Sequence, residues 1–450
     1  MSAVVAQRVI DGLRPGPATA RELGQRLDVS QPTLSRTLRP LEARGRVIRF
    51  GTTRGARYGL ARDVRAIGHR WPLYRLDETD VPHEIATLIA IERDHYYARS
   101  GPPRVARLSN GLPYFLQDAR PAGFIGRAVP KRFPDLDLPA RVVDWTDDHA
   151  LTYLVRRGSD TVGDLVLGEE ALDRYLAGED VPPVVHERER AARFPELAQQ
   201  AMQGSPAGSS AQGEHPKFSV RIERDGARTH AFVKFSPPRD TGVGERWADL
   251  LVAEALASEV LNAAGSAAAR SRVLDAGDRR FLESERFDRL GDDGRRGTAS
   301  LLAVAAEHHG ELDSWTRAAR RLCDNGLLSA ADAERAALLD AFGALIANDD
   351  RHLGNVTLFD RREGPFEIAP VYDMLPMLFA PSDGDLVERA FEPEGARSET
   401  LAVWPRAREL ALVYWAALAD DPRVTAGFRE RASACRERVA HTSLRRRASA

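Results

Sequence analysis

Apolar positions at the start of the chain recur at helical spacing. Val4, Val5, Val9, Ile10 and Leu13 predict a helix that stops before Pro15-Gly16-Pro17. Thr19-Ala20-Arg21-Glu22 has the form of a capping box, opening a helix with Leu23 and Leu27 inward. After a turn at Val29, Ser30 is the next N-cap. Leu34, Leu38 and Leu41 then share one face of a helix from Gln31, with Gln31, Thr33, Arg36, Thr37 and Arg39 on the other. Residues 47–50 and 56–60, joined by a Gly/Thr turn, predict a hairpin carrying Arg49, Arg54 and Arg57. Between 63 and 200 the pattern is less decisive. Ile85, Leu88, Ile89 and Ile91 suggest a short helix, residues 105–108 and 114–116 suggest strands, and 187–193 suggest a solvated helix face. The glycine-bearing stretches 118–127 and 157–165 are expected to be turns and strand ends. Farther on, 218–222 and 229–235 predict strands around an Arg-Asp-Gly turn. A helix follows at 247–264, a strand at 281–289 and a short β run at 366–369.

Charge changes the picture of the first segment. Residues 1–62 hold twelve arginines against Asp11, Glu22, Asp28 and Glu42, a balance of +8 in a chain whose net charge is −2. A basic head on an acidic body points to nucleic acid. Helix, helix-turn-helix and basic hairpin resemble bacterial winged-helix regulators. Gln31, Thr33 and Arg36 would then face the major groove of duplex DNA, and Arg54 and Arg57 would touch phosphate or minor groove. A protein-interaction domain of the same shape is the other reading. The 450 residues exceed one ordinary core, so two or three domains are expected. Two cysteines, Cys323 and Cys435, exclude a disulfide framework and a cysteine-based zinc site. Neither a signal-peptide pattern nor an apolar run of roughly 20 residues is present, so a bacterial cytoplasmic protein with no membrane partner is expected.

The candidate chemistry lies in two short stretches, Asn348-Asp349-Asp350-Arg351-His352-Leu353-Gly354-Asn355 and Ala369-Pro370-Val371-Tyr372-Asp373. Phosphoryl transfer needs a carboxylate to orient the attacking hydroxyl, plus an amide and a second carboxylate to hold Mg²⁺ against phosphates. The chain has three lysines, Lys131, Lys217 and Lys234, and two of them flank one candidate phosphate region. Residues 203–217 form a Gly/Ser-rich loop ending at Lys217, and Lys234 follows on an apolar strand. A buried lysine needs an anion, and Glu254, alone on the apolar stripe of the next helix, is the expected partner. His352 has no second histidine at ligand spacing and is expected to brace its loop.

Together these residues resemble the HipA family of bacterial serine/threonine kinases, in the YjjJ-type branch with a fused DNA-binding head, over roughly residues 1–440. The acid-loop pattern is met by Asn348, Asp350, His352 and Asn355, with Asp349 and Arg351 departing from it. The Ala-Pro-x-Tyr-Asp motif is complete. Ser210, Gly213 and Lys217 match the loop pattern, with His215 where Gln is usual. Arg286 to Arg289 and Arg120 to Arg127 match two further elements. The resemblance implies an α+β architecture: a two-lobed kinase-like fold behind a winged helix-turn-helix domain. The expected divisions are 1–62, a HipA-like subdomain at 63–200, an ATP-binding lobe at 201–290 and a mostly helical catalytic lobe at 291–450. It implies ATP and Mg²⁺ as cofactors, with Asp350 catalytic and Asn355 and Asp373 on the metal. Gly213, Lys217, Lys234 and Glu254 would serve the nucleotide. It also implies a protein substrate, toxin action through a translation factor, and self-inactivation by phosphorylation of Ser210, with Ser209 the nearby alternative. Two rivals stand beside it. One is a small-molecule kinase resembling aminoglycoside phosphotransferases, which share the Asp-x-His-x-x-Asn spacing. The other is a DNA-binding regulator with a degenerate kinase body.

Overall fold

The computed structural model describes residues 3–51, 55–102, 105–204, 215–310, 314–361, 364–382 and 384–442. Arg54, Ser210 and Gly213 therefore lie outside the described residues. The chain divides into two compact units. One comprises Met1–Asp77, Val81–Arg120 and Asp135–Val181, the other Glu78–Asp80, Pro121–Pro134 and Pro182–Ala450.

The first unit begins with α1 (Ala3–Leu13), β1 (Ala18–Thr19), α2 (Ala20–Leu27), α3 (Gln31–Ala43), β2 (Val47–Phe50) and β3 (Arg57–Leu60), the strands ordered β1-β3-β2. The capping box forms as its sequence requires. The Glu22 amide donates to Thr19 Oγ1 at 3.2 Å, and the Thr19 amide donates to the Glu22 carboxylate at 2.7 Å. Val9, Leu13, Leu23, Leu34, Leu38, Leu41, Val47 and Leu60 close one core. Thr37, expected on the polar face of α3, is instead buried, its hydroxyl donating to the Thr33 carbonyl at 2.9 Å. An internal bond to the preceding turn lets a threonine sit against apolar neighbours.

Next come β4 (Arg70–Leu76), β5 (Pro82–Ile91), β6 (His95–Arg99), β7 (Leu108–Asn110) and the short α4 (Tyr114–Gln117). The short α5 (Gly123–Arg127) and α6 (Val129–Arg132) belong to the second unit. The first resumes with α7 (Asp147–Arg157), β8 (Leu165–Leu167) and α8 (Glu169–Leu176). The sheet runs β7-β6-β5-β4-β8. The stretch around Leu88 is a strand, 114–116 is helical, and 123–127, expected as turn or strand end, is helix α5. Leu88, Ile89, Ala90 and Ile91 are all buried, so both faces of β5 are covered and the alternation that marks a strand is absent. Ile89 and Ile91 pack on Ile48 and Phe50 of β2. Gly59 makes this approach possible, because a Cβ there would lie 2.7 Å from Ile91. Arg62 adds a two-pronged bond to Asp148 at 2.6 and 2.9 Å.

The second unit contains β9 (Val184–His186), α9 (Arg190–Gly204), β10 (Lys217–Arg224), β11 (Ala227–Phe235), α10 (Gly242–Ala263), β12 (Ser271–Ala276) and β13 (Arg279–Glu285). Its sheet is ordered β12-β13-β11-β10-β9, all antiparallel except the β9–β10 pair. Phe194 of α9 packs with Phe218, Val233, Phe235 and Phe281 on one face. The 187–193 stretch is no free solvated face: Glu187 pairs with Arg224 and Arg272, and Arg190 pairs with Glu283. Helix α10 starts a turn earlier than expected, because Thr241 caps it and Gly244 lets the Pro238 carbonyl sit where a Cβ would clash.

Short strands β14 (Arg289–Leu290), β15 (Gly294–Arg295) and β16 (Thr298–Ser300) lead into a mostly helical part. It holds α11 (Leu301–His309), α12 (Trp315–Asp324), α13 (Ala330–Leu345), the strands β17 (Thr357–Phe359) and β18 (Glu367–Ile368), then α14 (Trp404–Asp420) and α15 (Ala426–His441). Sheet first and helices after is the α+β arrangement. Among the described residues no helix is long and apolar enough to cross a membrane.

Candidate active site

Strand alternation decides where Lys234 points. Val233 and Phe235 face α9, so Lys234 faces the other side of β11, opposite Leu282 of β13. Leu282 packs with Leu251 and Ala255 of α10, and Glu254 lies between those two positions in the chain. The result is an ion pair in the interior. Lys234 Nζ donates to both Glu254 oxygens at 2.6 and 2.7 Å, with the two residues 7% and 3% exposed. Glu259, one turn on, is exposed. Lys234 also donates to Asp373. Burial alone would disfavour the ammonium, but Asp373 and Glu254 reverse that and raise its pKa. Burial likewise works against an Asp373 carboxylate, yet Lys234 and Lys217 hold its pKa down to about 2. Lys217 stands opposite Lys234 in the β10–β11 register.

The β17–β18 hairpin sets the other half of the site. The Ala369 amide donates to the Thr357 carbonyl, so Asn355, just before β17, and Asp373, just after β18, leave the hairpin at one end. The Tyr372 hydroxyl donates to the Gly354 carbonyl at 3.3 Å and lies 2.9 Å from Thr357 Oγ1. Asn348 links the two motifs. Its amide donates to the Asp373 carbonyl at 3.3 Å, and its oxygen accepts the Asp350 amide at 3.1 Å. Asp373 has φ +53°, a left-handed conformation that Asp tolerates better than most residues.

Within the acid loop, Asn355 Nδ2 donates to the Asp350 carbonyl at 2.8 Å. That bond fixes the amide and leaves its oxygen for another partner. The Gly354 amide donates to His352 Nδ1, and Trp315 donates to the His352 carbonyl, so His352 holds the loop. Arg351 reaches back to Asp340 at 3.3 Å and to the Asn348 carbonyl, crossing α13 where Gly343 leaves room: a Cβ there would lie 2.6 Å from Arg351 Cδ. Asp350 itself is exposed. Partial desolvation raises its pKa, helped by Asp373 and Asp349 and opposed by His352. The arrangement thus offers one reachable carboxylate of raised basicity beside a cation held by two anions.

The donor set suits magnesium. Among the described residues no group of three or more His, Cys, Asp or Glu could hold a metal alone. Magnesium bound with a nucleotide asks the protein for only one or two hard oxygens, the rest coming from phosphate and water. The Asn355 amide oxygen and the Asp373 carboxylate would be those two.

The loop pattern singled out His215 and the helical spacing began at Trp247, but their contact was not foreseen. The His215 ring packs against Trp247 at 4.7 Å. Burial, then Lys234 and Lys217, push its pKa well down and keep it neutral. A polar residue three before Phe218 carried no signal for this. On α3, Gln31 and Arg36 are exposed and Thr33 is half-buried, its hydroxyl 3.0 Å from Ser30 Oγ. Arg57, on β3, donates to the Pro17 carbonyl at 2.6 Å.

Comparison with known proteins gives the family. A model described as the HipA-like C-terminal domain matches residues 209–445, and one described as the YjjJ-like toxin, middle domain, matches 67–176. Toxin YjjJ of Escherichia coli (strain K12) is 37% identical over 433 residues, covering 95% of this chain and 96% of its own. Among solved structures, a chain of the Shewanella oneidensis MR-1 HipA, HipB and operator DNA complex has a TM-score of 0.46 at 12% identity, covering 81% of this chain and 95% of its own. The Helicobacter pylori proinflammatory kinase CtkA has a TM-score of 0.37 at 12% identity, covering 50% and 88%. On the sequence matches, the chain belongs to the HipA family, in its YjjJ-like toxin branch.

Proposed function

We propose that the chain is an ATP- and Mg²⁺-dependent serine/threonine protein kinase with a DNA-binding N-terminal segment. One observation carries this reading: Lys234 sits between Glu254 and Asp373, while Asp350 and Asn355 project from a loop tied to the Asp373 turn. Lys234 would hold the nucleotide's phosphates, with Glu254 fixing its position. Asn355 and Asp373 would hold Mg²⁺, which when bound neutralises charge on those phosphates. Asp350 would accept the proton of a seryl or threonyl hydroxyl as its oxygen bonds to the terminal phosphorus and the bond to ADP breaks. By family likeness the protein acceptor would belong to the translation machinery, and the chain's own acceptor would be Ser210, with Ser209 the nearby alternative.

The DNA-binding part rests on the +8 balance of residues 1–62 and on exposed Gln31 and Arg36 on one face of α3. The test of the kinase reading is incubation with ATP labelled at the terminal phosphate, followed by phosphosite mapping. Label on a seryl or threonyl residue supports it. Label found only on an added aminoglycoside favours a small-molecule kinase, and no label on either contradicts both.

A further inference from the structure

A cavity of about 240 Å³ lies in the first unit between the last turn of α3 and the β4–β6 sheet. Glu42 and Gly45 line it on the helix side, Ile48 and Ile89 form an apolar floor, and Arg70 and Arg99 rise from the sheet. Register explains the arginines. Arg70 is opposite Ile89, Ile89 is opposite Tyr97, and Arg99 is two residues beyond Tyr97, so all stand on one face. Among the described residues, the side chains of Glu42, Arg70 and Arg99 have no hydrogen-bond or ion-pair partner, and they do not pair with one another. His69 also lines the cavity, but its Nδ1 is engaged by Asp63 at 2.7 Å.

Arg70 is exposed and Glu42 and Arg99 are half-buried, so their free hydrogen-bonding capacity goes to water or to a ligand that bridges them. A dianion would meet the Glu42 carboxylate, and a simple cation would meet two guanidiniums. A molecule with both signs matches all three groups: its carboxylate at the arginine forks, its ammonium at Glu42. The isoleucine floor suits an apolar side chain, and the volume suits roughly ten non-hydrogen atoms. We propose that this cavity is a binding site for a small zwitterion of the amino-acid class carrying an apolar side chain. An occupant touches both α3 and the sheet, so it stabilises the first unit.

The test uses the full-length chain without DNA, so it is independent of the DNA-binding reading. Each proteinogenic amino acid is added singly at millimolar concentration, with thermal melting and calorimetry as readouts. At least one apolar amino acid is expected to raise the melting temperature and bind. Its decarboxylated amine and its deaminated acid should each bind about tenfold more weakly or worse. Arg99→Ala should abolish binding while Arg99→Lys, which keeps the charge, retains part of it. Glu42→Gln should remove the preference for the amino acid over the deaminated acid. The proposal is overturned if no amino acid binds, if the deaminated acid binds as tightly to the unaltered chain, or if binding survives Arg99→Ala.

Discussion

Lys234 is the residue on which the site turns, because it is buried and has two carboxylates within reach. Removing the cation leaves Glu254 buried without its counter-charge, so Lys234→Met should cost about 3–5 kcal/mol of stability. Adding Glu254→Gln should recover part of that loss. Chemical denaturation of the two single variants and the double variant measures the coupling, and simple additivity would show that the pair is independent. The two aspartates should separate by role. Asp373→Ala should abolish Mg²⁺-dependent ATP binding, whereas Asp350→Ala should keep nucleotide affinity and lose transfer. Calorimetric titration with ATP and Mg²⁺ decides this, and equal loss of affinity in both variants contradicts the division. At this scale the sequence was informative where a charge broke an apolar stripe, as at Lys234 and Glu254. It was silent on the Lys234–Asp373 contact, which joins residues 139 apart in the chain.

Elements followed the sequence where their determinants are local. The Thr19–Glu22 box needs only four consecutive residues, so α2 was legible to its first residue. Strand β5 was not, because Ile48 and Phe50 cover one face of it from forty residues away and erase the alternation. The Arg62–Asp148 bond joins α7 to the segment that follows β3 and was likewise invisible. Burial works against the Asp148 carboxylate, but Arg62 and Tyr96 more than compensate and lower its pKa. A carboxyl lowered in the folded state gives stability that is fully present above its unfolded pKa and is lost as pH falls through the folded one. Arg62→Ala should therefore cost about 1–3 kcal/mol at neutral pH. The gap from the unaltered chain should shrink progressively below about pH 4. Denaturant titrations at pH 7 and pH 3 give both values, and a gap unchanged between them would remove Asp148 from the explanation.

For the whole molecule, the segregation of charge matters more than its total. A +8 head on a chain of net charge −2 should bind duplex DNA with affinity that falls steeply as salt rises. In the full-length chain, Arg36→Ala should weaken binding to a selected sequence more than to random duplex, because Arg36 is exposed on α3. Fluorescence anisotropy across a salt series checks both, and no binding at low salt rejects the DNA-binding head. The assembled site was partly legible for the same reason that the family was: Asp350, Asn355 and Asp373 lie in two short motifs brought together by one hairpin, while Lys234 and Glu254 come from a strand and a helix. The surroundings of His215 escaped because they are built by α10 and two lysines that only the fold brings near.

The proposed activity is phosphoryl transfer from ATP to protein hydroxyls through Asp350. Its most direct measurement is transfer of labelled terminal phosphate by the full-length chain with Mg²⁺, run beside Asp350→Ala under conditions where both bind ATP. Label is expected on Ser210, or on Ser209 beside it, in the unaltered chain and none in the variant. Equal labelling of the two proteins, or no labelled serine or threonine in the unaltered chain, would contradict it.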